Sequence, residues 1–308
     1  MKQRSLYLLL AAVLVVGLSA GPAAATSPHG RKPVPVYYLS LGTSLAAGVQ
    51  ADPATGESVV TDVSYPGIIA EALGKNIEKL HHVNLGCPGE NSETFIEGGL
   101  CEYTHGSQLD EAVEFLREHG RSTGLITIDL GANDVLACID GVDIDTACLS
   151  ETIRQLGANL WHSLETLRAA AGPHVPIVGM NYYNPMLVFW FHDPNLATLA
   201  AILQAELNGV LLGVYTSAGS PVADVAAAFQ SNNFMDTDMS GLPDNVELIC
   251  AWTWMCTHGN IHPHDVGYGV IADAYLNVLP PIEISKPPWQ PGRWKDHHPK
   301  WPKQNWGR

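Results

Sequence analysis

The stretch Tyr38-Leu39-Ser40-Leu41-Gly42-Thr43-Ser44-Leu45-Ala46 constrains the fold more than any other part of the chain. It is an apolar run that stops on a glycine and places a hydroxyl just past the turn. Such a run, bounded by Gly, predicts a buried strand over 36–41. The pattern recurs. Further strands are predicted over 80–85, 125–130, 176–180 and 222–225. Between them lie helices predicted from a Ser64-Tyr65-Pro66 start to about Leu73, and over 107–119, 150–171, 195–217 and 265–278. In the helix over 150–171, Leu156, Leu160, Leu164 and Leu167 mark a buried face at helical spacing. Strands alternating with helices predict a parallel sheet covered on both faces, a three-layer α/β/α domain of about five strands. No internal repeat or linker interrupts residues 34–280, so one domain is expected there.

The two ends of the chain differ from this domain. Lys2 and Arg4 precede the apolar stretch 6–18, and Gly21-Pro22-Ala23-Ala24-Ala25 supplies small residues at an A-x-A site. Residues 1–25 therefore read as a secretory signal peptide, the run being short for a bilayer anchor. No later stretch is expected to span a membrane. Residues 281–308 are basic and rich in Pro and Trp, with Trp289, Trp294, Trp301 and Trp306. Composition favours an extended or disordered segment, with docking on an envelope polymer or anionic lipid headgroups as the functional reading.

Charge and cysteine usage bound the function. The chain carries 16 basic and 31 acidic residues, a formal net charge of −15. Such a surface argues against a nucleic-acid partner and suits an extracellular, soluble protein expected to be a monomer. Six cysteines in an exported chain suggest disulfides. The expected pairs are the sequential ones, Cys87–Cys101, Cys138–Cys148 and Cys250–Cys256, each bracketing a short loop. His258, His262, His264 and Asp265 lack usable ligand spacing, because Gly259 and Pro263 break any helix that would align them, so no metal is expected.

Four points carry chemistry. Ser44 follows the first strand, Gly89 the second and Asn133 the third, so all three can share one crevice at the carboxyl edge of the sheet. His262 precedes the last helix. A serine hydroxyl needs a base, and histidine suits that task at neutral pH. The backbone N–H groups of Ser44 and Gly89 and the Asn133 amide could bind an oxyanion. Taken singly, each residue could be ordinary turn chemistry. There is no G-x-S-x-G elbow.

Jointly, Gly42-Thr43-Ser44-Leu45, Gly89, Gly131-Ala132-Asn133-Asp134 and Gly259-Asn260-Ile261-His262 resemble the four blocks of the SGNH, or GDSL-type, hydrolases, over about residues 36–279. The resemblance implies a flavodoxin-like parallel sheet and a secreted esterase or lipase. It further implies hydrolysis through an acyl-serine, with Ser44 as nucleophile, His262 as base and no metal or organic cofactor. The expected partner is a small-molecule or lipid ester. The apolar stretch 182–191 is read mainly as core, with a subset lining an acyl pocket, which tilts the substrate toward lipid-like or aryl esters. Two positions depart from the pattern. Thr43 stands where the family has Asp, and Gly259 where an Asp normally orients the histidine. Asp265 looks committed to the start of the last helix. The expectation is therefore a Ser44–His262 dyad with a main-chain carbonyl from the loop 252–259 on Nδ1. The alternatives are a carbohydrate deacetylase on the same fold and a non-catalytic binding protein with the same scaffold.

Overall fold

The computed structural model describes residues 34–282. Five strands form one parallel sheet: β1 (Val36–Gly42), β2 (Leu80–Asn84), β3 (Thr123–Asp129), β4 (Ile177–Met180) and β5 (Val222–Ala223). Their order across the sheet is β2-β1-β3-β4-β5. The order reverses between β1 and β3, and a parallel sheet opens its ligand crevice at such a point, beyond the carboxyl ends. All seven residues of β3 are buried, as expected for a strand covered on both faces.

The connections decide which face each helix covers. A strand-to-parallel-strand crossover is right-handed. The step from β1 to β2 runs one way along the sheet, and the next three steps run the other way. Helix Tyr65–Gly74 therefore lies on one face, while Gln108–His119, Thr146–Ala171 and Pro194–Ser217 lie on the other. The contacts agree: the last helix, Asp265–Leu276, packs on Tyr65–Gly74, and the other three pack side by side. Leu156, Leu160, Leu164 and Leu167 are all buried. Side chains cap the helices that cover the sheet. Ser64 accepts from the Gly67 N–H, Ser107 from Asp110, Asp145 from Ala147 and Cys148, and Asp193 from Asn195.

Several expectations are corrected. Between β1 and helix Tyr65–Gly74, where the sequence predicts no element, the chain holds a short helix, Ser44–Ala47, and an antiparallel pair, Val49–Ala51 with Ser58–Val60. Asp52 closes that hairpin by accepting the Ala54 and Thr55 N–H groups. The loop containing Cys250 and Cys256 holds two helices, Asp244–Trp252 and Met255–His258. The last helix is capped by the His264 side chain, with Asp265 already inside its first turn. Helix Pro194–Ser217 is long and apolar enough to cross a membrane, contrary to the expectation for this region. Here it forms a layer of the domain, with Leu207, Leu211 and Tyr215 buried.

The three cysteine pairs sit at bonding distance as Cys87–Cys101, Cys138–Cys148 and Cys250–Cys256, with Cα separations of 6.2, 5.7 and 5.0 Å. The signal-peptide reading of 1–25 and nearly all of the 281–308 tail lie outside the described residues.

Candidate active site

β1 ends on Gly42, with φ +131°. A Cβ at that position would stand 2.6 Å from Asp129 Cγ, so only glycine lets the chain turn beside β3 here. Thr43 then caps the helix that begins with Ser44. Ser44 is therefore held in the crevice at the switch point, mostly buried.

His262 arrives from the other side of the crevice. Its Nε2 lies 2.9 Å from Ser44 Oγ. Its Nδ1 lies 2.7 Å from the side-chain oxygen of Asn260, and the His262 backbone N–H donates to the same oxygen at 3.1 Å. An N–H can only donate, so the Asn260 atom facing it is Oδ1. An amide oxygen can only accept, so Nδ1 carries the ring proton and Nε2 faces Ser44 with a free lone pair. The expected main-chain acceptor from loop 252–259 is thus replaced by a side-chain one two residues upstream. Asn260 is itself held by its amide nitrogen, which donates to Ser58 Oγ at 3.0 Å. The hairpin missed in the sequence supplies that support. Asp265 does not reach the histidine; it accepts from Gln50 Nε2 at 2.8 Å.

The main chain around the histidine is fixed as well. The Trp254 N–H donates to the His262 carbonyl, and the Tyr183 hydroxyl to the Ile261 carbonyl. Burial lowers the His262 pKa to about 4, so the ring is neutral at neutral pH. Gly259, which stands in the place of an acid, has φ +64° and closes helix Met255–His258. That left-handed cap suits glycine.

Asn133 lies in a short helix, Ala132–Leu136, that starts directly beyond β3. One amide N–H of Asn133 donates to the Glu90 carbonyl at 2.8 Å, leaving its second N–H for another acceptor. This contact joins Asn133 to the turn carrying Gly89, which has φ +85°. Ser44, Asn133 and His262 all line one cleft. Gly89 is not among its lining residues and stands one residue from the Glu90 carbonyl that Asn133 holds.

Two further side chains belong to the site: Gln108, which carried no signal in the sequence, and Asp134, which entered only as a member of the block 131–134. Gln108 accepts the Gly42 N–H at 2.6 Å and donates to the Gly42 carbonyl and to Glu90 Oε2. The Asp134 carboxylate accepts the N–H and hydroxyl of Ser92. Gln108 is a lone polar residue in sequence, and the contacts of both acquire meaning only when distant segments are brought together.

The cleft encloses about 590 Å³, its open mouth included. Beyond Ser44 its lining includes the aliphatic Leu45, Val135, Ile139, Met186 and Leu207, with the polar Gln204 beside them. A second hollow shares Val135, Ile139, Met186 and Leu207 and continues to Ile144, Leu149 and Leu203. From the apolar stretch 182–191, Tyr182, Tyr183, Pro185 and Met186 reach the cleft, while Leu187 and Phe189 are buried. Among the described residues no cluster of His, Cys, Asp or Glu could hold a metal ion.

Residues 40–270 match the family described as GDSL-like lipase/acylhydrolase, which is most of the chain. The chain belongs to the GDSL-like lipase/acylhydrolase family. Membership places it among the ester hydrolases. Solved structures share its fold at low sequence identity. An extracellular lipase from Streptomyces rimosus is 18% identical, with 79% of this chain and 100% of that chain covered and a TM-score of 0.54. The acetylxylan esterase Axe2 from Geobacillus stearothermophilus is also 18% identical, with 80% and 94% covered and a TM-score of 0.50. Among curated proteins, no sequence matches it significantly. The acylhydrolase fold explains why the four blocks, far apart in sequence, converge: three leave the carboxyl ends of adjacent strands, and the fourth enters the last helix.

Proposed function

We propose that this acylhydrolase is a secreted serine esterase that cleaves carboxylic esters with apolar acyl chains through an acyl-Ser44 intermediate. The observation that carries the reading is the alignment Ser44 Oγ–His262 Nε2–Nδ1–Asn260 Oδ1, at 2.9 and 2.7 Å. Ser44 Oγ attacks the ester carbonyl carbon while its proton passes to Nε2. The carbonyl oxygen becomes an oxyanion, which the Ser44 N–H and the free Asn133 N–H stabilise, while Gly89, outside the cleft lining, would add its N–H only if the turn that Asn133 holds moves toward the oxyanion. The C–O bond to the alcohol then breaks, and His262 returns the proton to the departing alkoxide. Water, deprotonated by the same Nε2, attacks the acyl-serine, releases the carboxylic acid and restores the hydroxyl. Asn260 fixes the tautomer throughout but brings no charge to the imidazolium.

The substrate side of the reading rests on the cleft. Its mostly apolar lining, which runs from Leu45 to Leu203 with Gln204 and Asn184 as polar side chains among it, suits an alkyl chain better than a lone acetyl group. The ordered hydrogen bond on Nδ1 weighs against a scaffold that has lost turnover. Secretion is supported by the leader-like residues 1–25 and by three disulfides, which persist in oxidising compartments. The basic, Trp-rich tail would then serve adhesion to a polymer or lipid surface, apart from turnover.

A series of p-nitrophenyl esters from acetate to dodecanoate tests the proposal. Burying each methylene contributes about 0.8 kcal/mol, so kcat/KM should rise about fourfold per carbon until the hollow is filled. A steady fall from acetate onward would favour a deacetylase, and no hydrolysis of any member would favour a binding protein.

A further inference from the structure

Asp129, the last residue of β3, is fully buried. Its carboxyl group meets the chain on either side of the nucleophile turn. Thr43 donates both its N–H, at 2.9 Å, and its hydroxyl, at 2.6 Å, to the same oxygen, Oδ1. The Tyr65 hydroxyl donates to Oδ2 at 2.8 Å from the start of the next helix. Among the described residues no charged group is bonded to it. A buried carboxyl without such donors is costly, and here two of the three come from the residue next to Ser44. Burial raises its pKa to about 7 against the lowering effect of these hydrogen bonds. Oδ1 accepts from Thr43 in either protonation state.

We propose that Asp129 is the positioning residue of the nucleophile turn, acting through Thr43 on the direction of the Ser44 N–H and hydroxyl. Two hydrogen bonds from Thr43 to one oxygen fix both its main chain and its side-chain rotamer. The Thr43 carbonyl in turn accepts the Ala47 N–H at 3.0 Å, so with its N–H, side chain and carbonyl all held, the planar peptide that carries the Ser44 N–H is fixed as well. Gly42 completes the arrangement, because its missing Cβ lets the turn approach Asp129. This explains why Thr43 serves beside the nucleophile: its hydroxyl donates to a carboxyl already present on the neighbouring strand. An aspartate there would bring two carboxyl groups together in the core.

The inference rests on Ser44 being the nucleophile, and its test separates the two. Thr43→Val keeps the shape and removes the hydroxyl. It should lower kcat on a short p-nitrophenyl ester about 10²-fold with KM unchanged, the size of effect that a misplaced reacting group produces. Thr43→Ser should restore most of kcat. Asp129→Ala should lose at least as much as Thr43→Val, and Asp129→Asn, which keeps Oδ1, should recover most of that loss. A Thr43→Val enzyme with wild-type kcat, or one altered only in melting temperature or in KM, would overturn the positioning role. If Ser44→Ala also retains hydrolysis, the nucleophile assignment fails first.

Discussion

His262 Nδ1 lies 2.7 Å from the amide oxygen of Asn260, a neutral acceptor on the same loop. The relationship fixes the tautomer that exposes Nε2 to Ser44. It supplies no full negative charge to stabilise the imidazolium formed during attack. The third position of the site thus separates two tasks that a carboxylate performs together, orientation and charge stabilisation.

Variants of Asn260 should separate those tasks in turnover. Asn260→Ala leaves Nδ1–H without its acceptor, and kcat should fall by about 10²–10⁴, the upper end matching loss of the correct tautomer. Asn260→Asp keeps the acceptor and adds charge, so kcat at pH 8 should be at least that of the native enzyme. Steady-state kinetics on a p-nitrophenyl ester measures both. A native rate for Asn260→Ala would show that this oxygen does not orient the ring.

Much of the sheet and the four-block site was legible in the sequence because both rest on local signals. Apolar runs ending on glycine marked β1 and β3, and Ser64, Ser107 and Gly172 marked helix ends. The sequential disulfides were legible from short spacings. The hairpin 49–60 was not, because its strands are only three residues long and Ser58–Val60 is exposed, so no hydrophobic period develops. Asn260 was overlooked for a related reason. Its role depends on Ser58, 202 residues away in sequence, and a search for a carboxylate three residues before the histidine finds Gly259 instead. Asp129 likewise reads as one polar residue in an apolar strand until Thr43 and Tyr65 are folded around it.

The pH profile follows from the burial of His262. Its pKa is lowered from 6.5 to about 4, and the base must be unprotonated. Activity is therefore expected to persist on acidification and to fall only as the pH drops through about 4. In Asn260→Asp the added carboxylate favours the imidazolium and raises that pKa, so the acid limb should move upward by a unit or more. Measuring kcat/KM from pH 3.5 to 9 tests this. An acid limb near 6.5 in the native enzyme would contradict it.

Stability should respond in the same pH range. His82, stacked on Tyr38 and hydrogen-bonded to Ser40, is likewise lowered to about 4 by burial. Between 6.5 and 4 the unfolded chain binds these protons and the folded chain does not. The contribution of each histidine is thus full above 6.5 and is lost as the pH falls. Urea unfolding at pH 4.5 and 6.5 should show a smaller difference for His82→Gln than for the native chain, and an equal or larger difference would refute the assignment.

The Cys250–Cys256 bridge joins the two helices that precede His262. Replacing both cysteines with alanine should destabilise the fold by about 2 kcal/mol, since the loop closed is short. Denaturant unfolding of the double variant checks the magnitude. An unchanged midpoint would mean that the bridge adds nothing to the folded state.

The central claim is that an ester is cleaved through a covalent bond to Ser44. Intact-mass and peptide-mapping measurements after treatment with a serine-reactive alkyl phosphonate test it most directly. One adduct per chain is expected, on the peptide containing Ser44, lost in Ser44→Ala together with ester hydrolysis and slowed strongly in His262→Ala. An adduct that persists in Ser44→Ala, or hydrolysis that survives the substitution, would contradict it.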